Sequence, residues 1–531
     1  MKRNILKGAF WVLLSISTVS CSDFLDINPH DSISDAAVWE NMDLAEAFLN
    51  NCYTYVEGEN ENGVPFCSYT DELFHRTGYA TEVYTLGNVS CDNYNVGFSE
   101  ARGNTWNFYY SGIKKVNQLL ENIDKVPAVS DSEETRKAEI IGQAYFLRAF
   151  FYHQLYSLYG RIPLVDHTFD IDSDWVETRA DMDDVADFIV KDCESAIEKL
   201  PLKYESSDDF GRATRGAAMA VKARTLLYKA SPLFGEPSTE KWQEAAKASK
   251  DIIDLGVYSL PTVSSSEEYA ALFYNTQNPE IIFEKLYNNK GTYGSALHYL
   301  FQSPNGPYNG YNGWGVWLPT YDIVNAFQNE DGSKYTVKGL ASYNISLPSV
   351  DPETNQIIYK DATIEATEIK PWEGREMRFY ANILYDGAMW GYGDDNHAIA
   401  IYEPGEEGVL PGEQSPSYTD GEYWNATQTG YYMRKFLDPT YDQYSETIMD
   451  TTPWIFFRLA EFYLNYAECQ IELGNKDEAL KYINYIRNRA LLPDALGTDI
   501  RAEYEYERMI ELMFEGQRFF CLLYTSPSPR D

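Results

Sequence analysis

Histidine is scarce: six residues in 531, all dispersed. With so few, no H-E-x-x-H zinc motif forms. The G-x-S-x-G elbow, the phosphate-binding P-loop and the dinucleotide-binding glycine pattern are absent too. The seven cysteines, Cys21, Cys52, Cys67, Cys91, Cys193, Cys469 and Cys521, show neither zinc spacing nor a dense disulfide framework. Whether Cys67 and Cys91 pair stays open. Positive charge is short as well. Lys and Arg total 43 against 81 Asp and Glu, a net charge of −38, which argues against nucleic acid and anionic membrane surfaces as partners. No cofactor or metal is expected. Gly391-Tyr-Gly-Asp394-Asp395-Asn396 lacks the spacing and terminal Glu of an EF-hand loop and reads as a turn. After residue 20 no run is apolar enough to span a bilayer.

Aromatic residues are what the chain has in excess. They make up 15% of it, with 43 tyrosines. Tyr serves a core, but it also serves wet, stacking contacts, and sugars offer apolar ring faces with hydroxyl rims. The hydrophobic share of 44% supplies a sizeable core.

Met1 to Ser20 reads as a targeting segment: Lys2, Arg3 and Lys7, then a short apolar-to-small run ending at Ser20-Cys21. A cysteine directly after such a run is similar to a bacterial lipobox, with Cys21 as the acylated first residue, although Thr18 departs from the usual Leu. The alternative is an ordinary secretory signal. Ser22 to Asn41 is a tether. Helices are expected at Asp43–Val56, Trp106–Lys125, Ser132–Tyr159, Asp184–Leu200, Arg215–Phe234 and Lys241–Leu255, from their apolar periodicity and from breakers such as Pro127, Gly160 and Pro163. Ser132 is expected to cap the third of these, and Trp106 to be core. The run Trp454 to Gly474, with Asn475 to Ala490 behind it, reads as a helical hairpin broken at Gly474-Asn475. Small residues at Ala467, Gly474 and Ala479 suit the close crossing of a tetratricopeptide-like pair. Helices continue through Ile500 to Phe520. The fold class is thus mainly α, a tetratricopeptide-like helical-repeat scaffold of stacked helix pairs, joined to a loop-rich half with a few short strands.

Between Tyr258 and Thr452 the periodicity lapses into Gly, Pro, Asn, Tyr and Trp. Pro319–Phe327 reads as the one clear short helix there. Glu280–Tyr287 and Phe379–Tyr385 read as short strands. Long loop-rich stretches held by a scaffold are where binding groups concentrate. The best candidate is Tyr308-Asn-Gly-Tyr311-Asn312-Gly-Trp314-Gly-Val-Trp317. Its glycines permit positive φ, its asparagines offer paired donors and acceptors, and its rings can stack on sugars. For Trp314 and Trp317 the competing reading is a plug between the two halves. Tyr84, Asn93 and Tyr94 form a second loop candidate. Trp372, Trp390 and Trp424 lie in Gly-rich loops that face either ligand or partner. Glu461 and Glu468, seven apart on one helical face, mimic a catalytic carboxylate pair, but read as ion-pair partners for Arg458 or neighbouring arginines.

Several stretches in order resemble one family. They are Cys21-Ser-Asp-Phe-Leu-Asp with Pro29, Phe146-Leu-Arg-Ala-Phe-Phe-Tyr with Tyr159-Gly-Arg-Ile-Pro-Leu-Val165, Arg378-Phe-Tyr-Ala-Asn-Ile-Leu-Tyr-Asp-Gly387, Arg458-Leu-Ala-Glu-Phe-Tyr-Leu-Asn-Tyr-Ala-Glu468, Ile483-Asn-Tyr-Ile-Arg-Asn-Arg-Ala490 and Glu507-Arg-Met-Ile-Glu-Leu-Met-Phe-Glu-Gly-Gln-Arg518. Over Cys21 to Phe520 the chain resembles the SusD/RagB-like outer-membrane lipoproteins. The resemblance implies four tetratricopeptide-like units supporting an irregular binding half. It also implies lipid anchoring at Cys21 on the outer face of the outer membrane. The partner it implies is a SusC-like TonB-dependent transporter, to which captured nutrients, mostly glycans, pass without catalysis. The domains it suggests are a signal peptide over 1–20, an N-terminal helical domain over 21–257 and a C-terminal region over 258–520. Residues 521–531 depart from the family's pattern after Glu-Gly-x-Arg, break helical periodicity and read as a foreign tail. The expected ligand contacts are Trp314, Trp317, Tyr311, Tyr308, Asn312, Tyr84, Asn93 and Tyr94. A peptide-binding or scaffold lipoprotein is the alternative, and a glycoside hydrolase is a third reading.

Overall fold

The computed structural model describes residues 38–58, 65–75, 105–169, 172, 176–276, 278–288, 315, 317–336, 343–350, 357–364, 371–390, 397–399, 427–440 and 450–524. The first half is helical: α1 (Met42–Tyr53), α2 (Thr105–Asn122), α3 (Asp131–Tyr159), α4 (Met182–Lys199), α5 (Arg215–Ala230) and α6 (Thr239–Ile253). Each packs on the next, α2 through α6, as repeat helices do. Local chemistry sets the ends. Ser130, rather than Ser132, caps α3 by accepting from Glu133 N at 3.3 Å, and Glu133 Oε2 accepts from Val129 N at 2.7 Å, an arrangement close to a capping box. Gly160 closes the helix at φ 64°. Close crossing needs small residues. At Gly112 of α2 a methyl group would meet Phe151 of α3 at 2.8 Å. One continuous core runs through these helices. Trp106 lies at its margin, half-buried between Tyr110 and Tyr159.

The chain then leaves the stack. It forms α7 (Ser266–Ala271), β2 (Ile281–Lys285), β3 (Trp317–Pro319), α8 (Tyr321–Ala326), the hairpin β4 (Tyr343–Val350) and β5 (Ile357–Ile364), α9 (Met377–Asn382), β6 (Ile383–Leu384), β7 (Met389–Trp390), β8 (His397–Ala398) and β9 (Tyr432–Met433). Three sequence expectations change here. The region holds helical turns besides α8. The expected strand over 379–385 is a strand only at 383–384, because its first part is the turn of α9 that turns Arg378 inward. The eight-residue ladder of β4 and β5, Tyr343↔Ile364 to Val350↔Ile357, was not anticipated. Trp372 and Trp390 are buried in this half's own core.

Helices return as α10 (Leu459–Glu472), α11 (Lys476–Arg489), α12 (Ile500–Glu511) and α13 (Gln517–Tyr524). The stretch before them, β10 (Trp454–Arg458), is a strand and not the start of the helix. It pairs antiparallel with β2 through Trp454↔Lys285 and Ile455↔Glu284. Phe283 and Phe456 of this ribbon sit against Phe150 of α3, with ring centroids 6.1 and 5.2 Å away. The hairpin of α10 and α11 forms as expected, with Gly474 at φ 79°. It packs on α6, so the stack is continuous in space although the chain is interrupted. Helical structure continues past Phe520 to Tyr524, where a break was expected, and Cys521 Sγ accepts from Arg508 Nε at 2.9 Å. Residues 525–531 lie outside the described residues. No described helix is long and apolar enough to cross a membrane.

The two halves meet in a buried network of ion pairs. Arg458, at the end of β10, holds Glu280 at 2.8 Å, Glu511 at 2.7 Å and Glu515 at 2.7 Å. Arg489 of α11 pairs with Glu280 at 2.5 Å and also with Glu511. Arg378 of α9 joins Glu376 at 2.8 Å and Glu507 at 2.5 Å, and Arg487 takes the other oxygen of Glu507 at 3.2 Å. Lys435 Nζ donates to Glu515 at 2.7 Å and to Met513 O at 2.8 Å. Burial pushes the Glu511 carboxyl up, but Arg489, Arg458 and Arg378 overcome it and hold it below the ordinary carboxylate range. Charges this deep persist only because each is paired and hydrogen-bonded.

Candidate ligand-binding site

A three-residue ribbon organises the candidate site. β1 (Leu73–His75) pairs antiparallel with β3 through Leu73↔Pro319, Phe74↔Leu318 and His75↔Trp317. Thr320 N donates to Glu72 O at 3.0 Å and extends the ribbon by one bond, and Thr320 Oγ1 donates to Asp71 O. From the other side Arg518 of α13 clamps both Asp71 oxygens at 2.9 and 2.7 Å. Glu72 is fully buried. One of its oxygens accepts from Phe514 N at 3.1 Å and the other has no partner. Burial pushes its carboxyl up to about 8, so near neutral pH it is held largely as the uncharged acid.

Both sequence candidates adjoin the open end of this ribbon. His75 is the last described residue before stretch 76–104, and Trp317 follows stretch 289–314 almost directly. Their rings meet edge-on, 4.4 Å between centroids. Chain connectivity therefore roots both sequence candidates, the Tyr84–Tyr94 stretch and the Tyr308–Trp314 stretch, at one pair of rings. Tyr84, Asn93, Tyr94, Tyr308, Tyr311, Asn312 and Trp314 themselves lie outside the described residues, as do Cys21, Cys91, Asp394 and Trp424. Trp317 does not. It is 1% exposed, within the second core, and its Nε1 has no acceptor. It is an anchor and offers no face to a ligand, which corrects its expected role as a contact. Phe74, opposite Leu318, keeps 37% of its surface exposed. The sequence reading missed Asp71, Glu72 and Phe74, because a three-residue strand leaves no periodic signal.

The carboxylate pair is resolved as well. Glu461 is 2% exposed and grips Arg224 of α5 through both oxygens, at 2.7 and 2.6 Å. Its partner is thus an arginine more than two hundred residues away and not Arg458. Glu468 is equally buried and accepts from Tyr504 Oη at 2.5 Å. Neither has an open side for a sugar or a water nucleophile. Among the described residues no group of His, Cys, Asp and Glu is arranged to hold a metal ion.

Two family models match in series. One, described as "Starch-binding associating with outer membrane", covers residues 23–227, and the other, described as "SusD family", covers residues 279–523. The chain belongs to the SusD/RagB family. Among curated relatives of this family member is the SusD-like protein P38 of Formosa agariphila, 23% identical over 97% of this chain and 90% of that one. Among solved structures are a SusD-like protein of Bacteroides fragilis, 27% identical, covering 93% of this chain and 88% of the other with a TM-score of 0.73, and a SusD-like carbohydrate-binding protein of the same strain, 22% identical, covering 91% and 86% with a TM-score of 0.68. The helical scaffold and the irregular half are thus those of the SusD fold.

Proposed function

We propose that this SusD family member is a non-catalytic, cell-surface lipoprotein that captures glycans and hands them to a SusC-like TonB-dependent transporter in the outer membrane, to which Cys21 anchors it. The observation that carries the reading is the shared root of the two aromatic, Asn- and Gly-rich stretches at His75 and Trp317. Two such stretches leaving one rigid ribbon can present rings to opposite faces or successive units of one saccharide. In this reading Tyr308, Tyr311 and Trp314, with Tyr84 and Tyr94, stack on sugar rings, while Asn312 and Asn93 bond hydroxyls. The outer-membrane and starch-binding description of the family model and the carbohydrate-binding relative support it. The burial and full engagement of Glu461 and Glu468 favour binding over hydrolysis.

The test is affinity electrophoresis and calorimetry against a panel of polysaccharides and peptides, with Trp314→Ala and Tyr84→Ala alongside. Retention by at least one glycan is expected. Each substitution should weaken it about 5- to 150-fold, since one ring–sugar contact is worth roughly 1–3 kcal/mol, with circular dichroism unchanged. A peptide signal without any glycan signal would sink the reading and promote peptide capture.

A further inference from the structure

Beside the Asp71–Glu72 end of the β1–β3 ribbon, α12 and α13 border a cavity of about 220 Å³. That is far more than the roughly 10–15 Å³ that admits one water. It is less than the range of about 300–1,000 Å³ usual for drug-sized ligands. The space therefore suits a small ion and not an oligosaccharide. One face of α12 contributes Arg508 and Leu512, and one face of α13 contributes Gln517, Arg518 and Leu522. Arg508 is unlike the other buried arginines of this half. Arg378, Arg458 and Arg489 each hold at least two carboxylates. Arg508 is 5% exposed, and no carboxylate among the described residues forms an ion pair with it. Its Nε donates to Cys521 Sγ at 2.9 Å and its Nη1 to Asn465 Oδ1 at 2.7 Å. Its Nη2 donates to no described residue. Glu468 acts on it only from a distance, with one oxygen taken by Tyr504 Oη. A buried cation persists only where its charge is met.

Further donors border the same space. Gln517 is 8% exposed, yet its side-chain amide bonds to no described residue. Arg518 holds Asp71 through Nε and Nη2 and keeps Nη1 free of any described partner. Helix α13 starts at Gln517, so the positive end of its dipole lies at this wall. Opposing charge is slight. Burial holds Glu72 largely as the uncharged acid near neutral pH, and Asp71 is neutralised by Arg518. Glu505, also in the lining, is exposed to screening water. An ammonium ion would be repelled by both guanidinium groups. A neutral hydroxyl would leave the charge of Arg508 unmet. A tetrahedral oxyanion meets that charge and accepts from several donors at once. We propose that this cavity is an oxyanion site that takes a free phosphate or sulfate ion between Arg508, Arg518 and Gln517. The site does not depend on what the aromatic loops bind.

Inorganic phosphate would be titrated against the full chain and followed by phosphorus NMR line broadening, with ionic strength held constant by sodium chloride. Saturable broadening that sulfate reverses and chloride does not is the expected result. Gln517→Leu removes the amide at similar size and should weaken the titration about tenfold, the loss of one hydrogen bond to a charged group. Arg508→Met should abolish it. Should that variant fail to fold, the Gln517→Leu titration decides alone. Phosphate should also raise the thermal midpoint of the parent more than that of Gln517→Leu, because binding to the folded chain stabilises it by mass action. Equal rises are what salt exclusion from the surface gives, and they count against the site. Absence of broadening, broadening that chloride reverses as well as sulfate does, or a Gln517→Leu titration identical to the parent's overturns the proposal and leaves an adventitious ion only.

Discussion

The helical stack and the irregular half are ordered by different forces. In the stack, faces of Phe, Tyr, Leu and Ala interlock. Its buried charges are few and mostly pairwise, such as Arg148 with Asp192 at 2.7 Å. In the irregular half a smaller apolar core is joined to buried arginines and glutamates contributed by β10, α9, α11 and α12 and the segments between them. The apolar core is non-directional and tolerates approximate fits. The ion network is directional and does not, because each group removed strands its partners. A scaffold that must present irregular loops thus gains a fixed geometry where periodic packing cannot supply one.

Breaking that contrast gives the largest effects. Arg458→Met leaves Glu280, Glu511 and Glu515 short of a shared cation, and should cost roughly 3–5 kcal/mol in urea unfolding. Proteolysis of that variant should begin in the irregular half. Phe150→Ala, in the stack, opens a cavity and should cost about 3–4 kcal/mol, but with cleavage spread through the helices. Equal cleavage patterns would erase the distinction between the halves.

Acidity sharpens it further. Glu72 has its native pKa raised from 4.5 to about 8, chiefly by burial. Between those values the native chain holds a proton that the unfolded chain has released. Stability should therefore fall as pH rises through this window, by at most about 1.4 kcal/mol per pH unit from this group. Denaturation of Glu72→Gln at pH 5, 6.5 and 8 should show a flatter profile than the parent, with the largest relative gain at pH 8. Glu511 is shifted the other way, so its contribution is present above about 4.5 and is lost as pH falls further. The smallest effect belongs to the stack. Ser130→Ala removes the α3 cap and should cost about 1 kcal/mol, readable as a shift in thermal midpoint.

How much was legible follows the same divide. The stack's helices were readable to within a few residues because their signal, apolar spacing plus breakers, is local. The misplaced cap at Ser132 arose because Ser130 and Ser132 are both competent and only the fold selects one. Trp454-Ile-Phe-Phe read as helix because four apolar residues in a row carry no period. Its strand character comes from β2, some 170 residues earlier. The family stretches around Arg378, Arg458, Glu507, Glu511 and Arg518 were noticed as sequence and explained only in space, since their partners lie far along the chain. The site was legible as composition, in Tyr, Asn, Gly and Trp, but not as geometry. Nothing local announced that Leu73–His75 would join Trp317–Pro319 and bring the two stretches to one root.

The stack's interruption has a consequence for how the molecule is made. Helix α6 is complete at Ile253, which packs against the cluster formed by α10, α11 and α12, yet α10 begins only at Leu459. At roughly 5–20 residues per second, translation leaves that face without its cover for about 10–40 s. The first helices can fold early from local contacts, but the seam between α6 and α10 cannot close until α10 has been made. A nascent chain held at this stage presents an open repeat end, so synthesis must run ahead of aggregation before the molecule can seal itself.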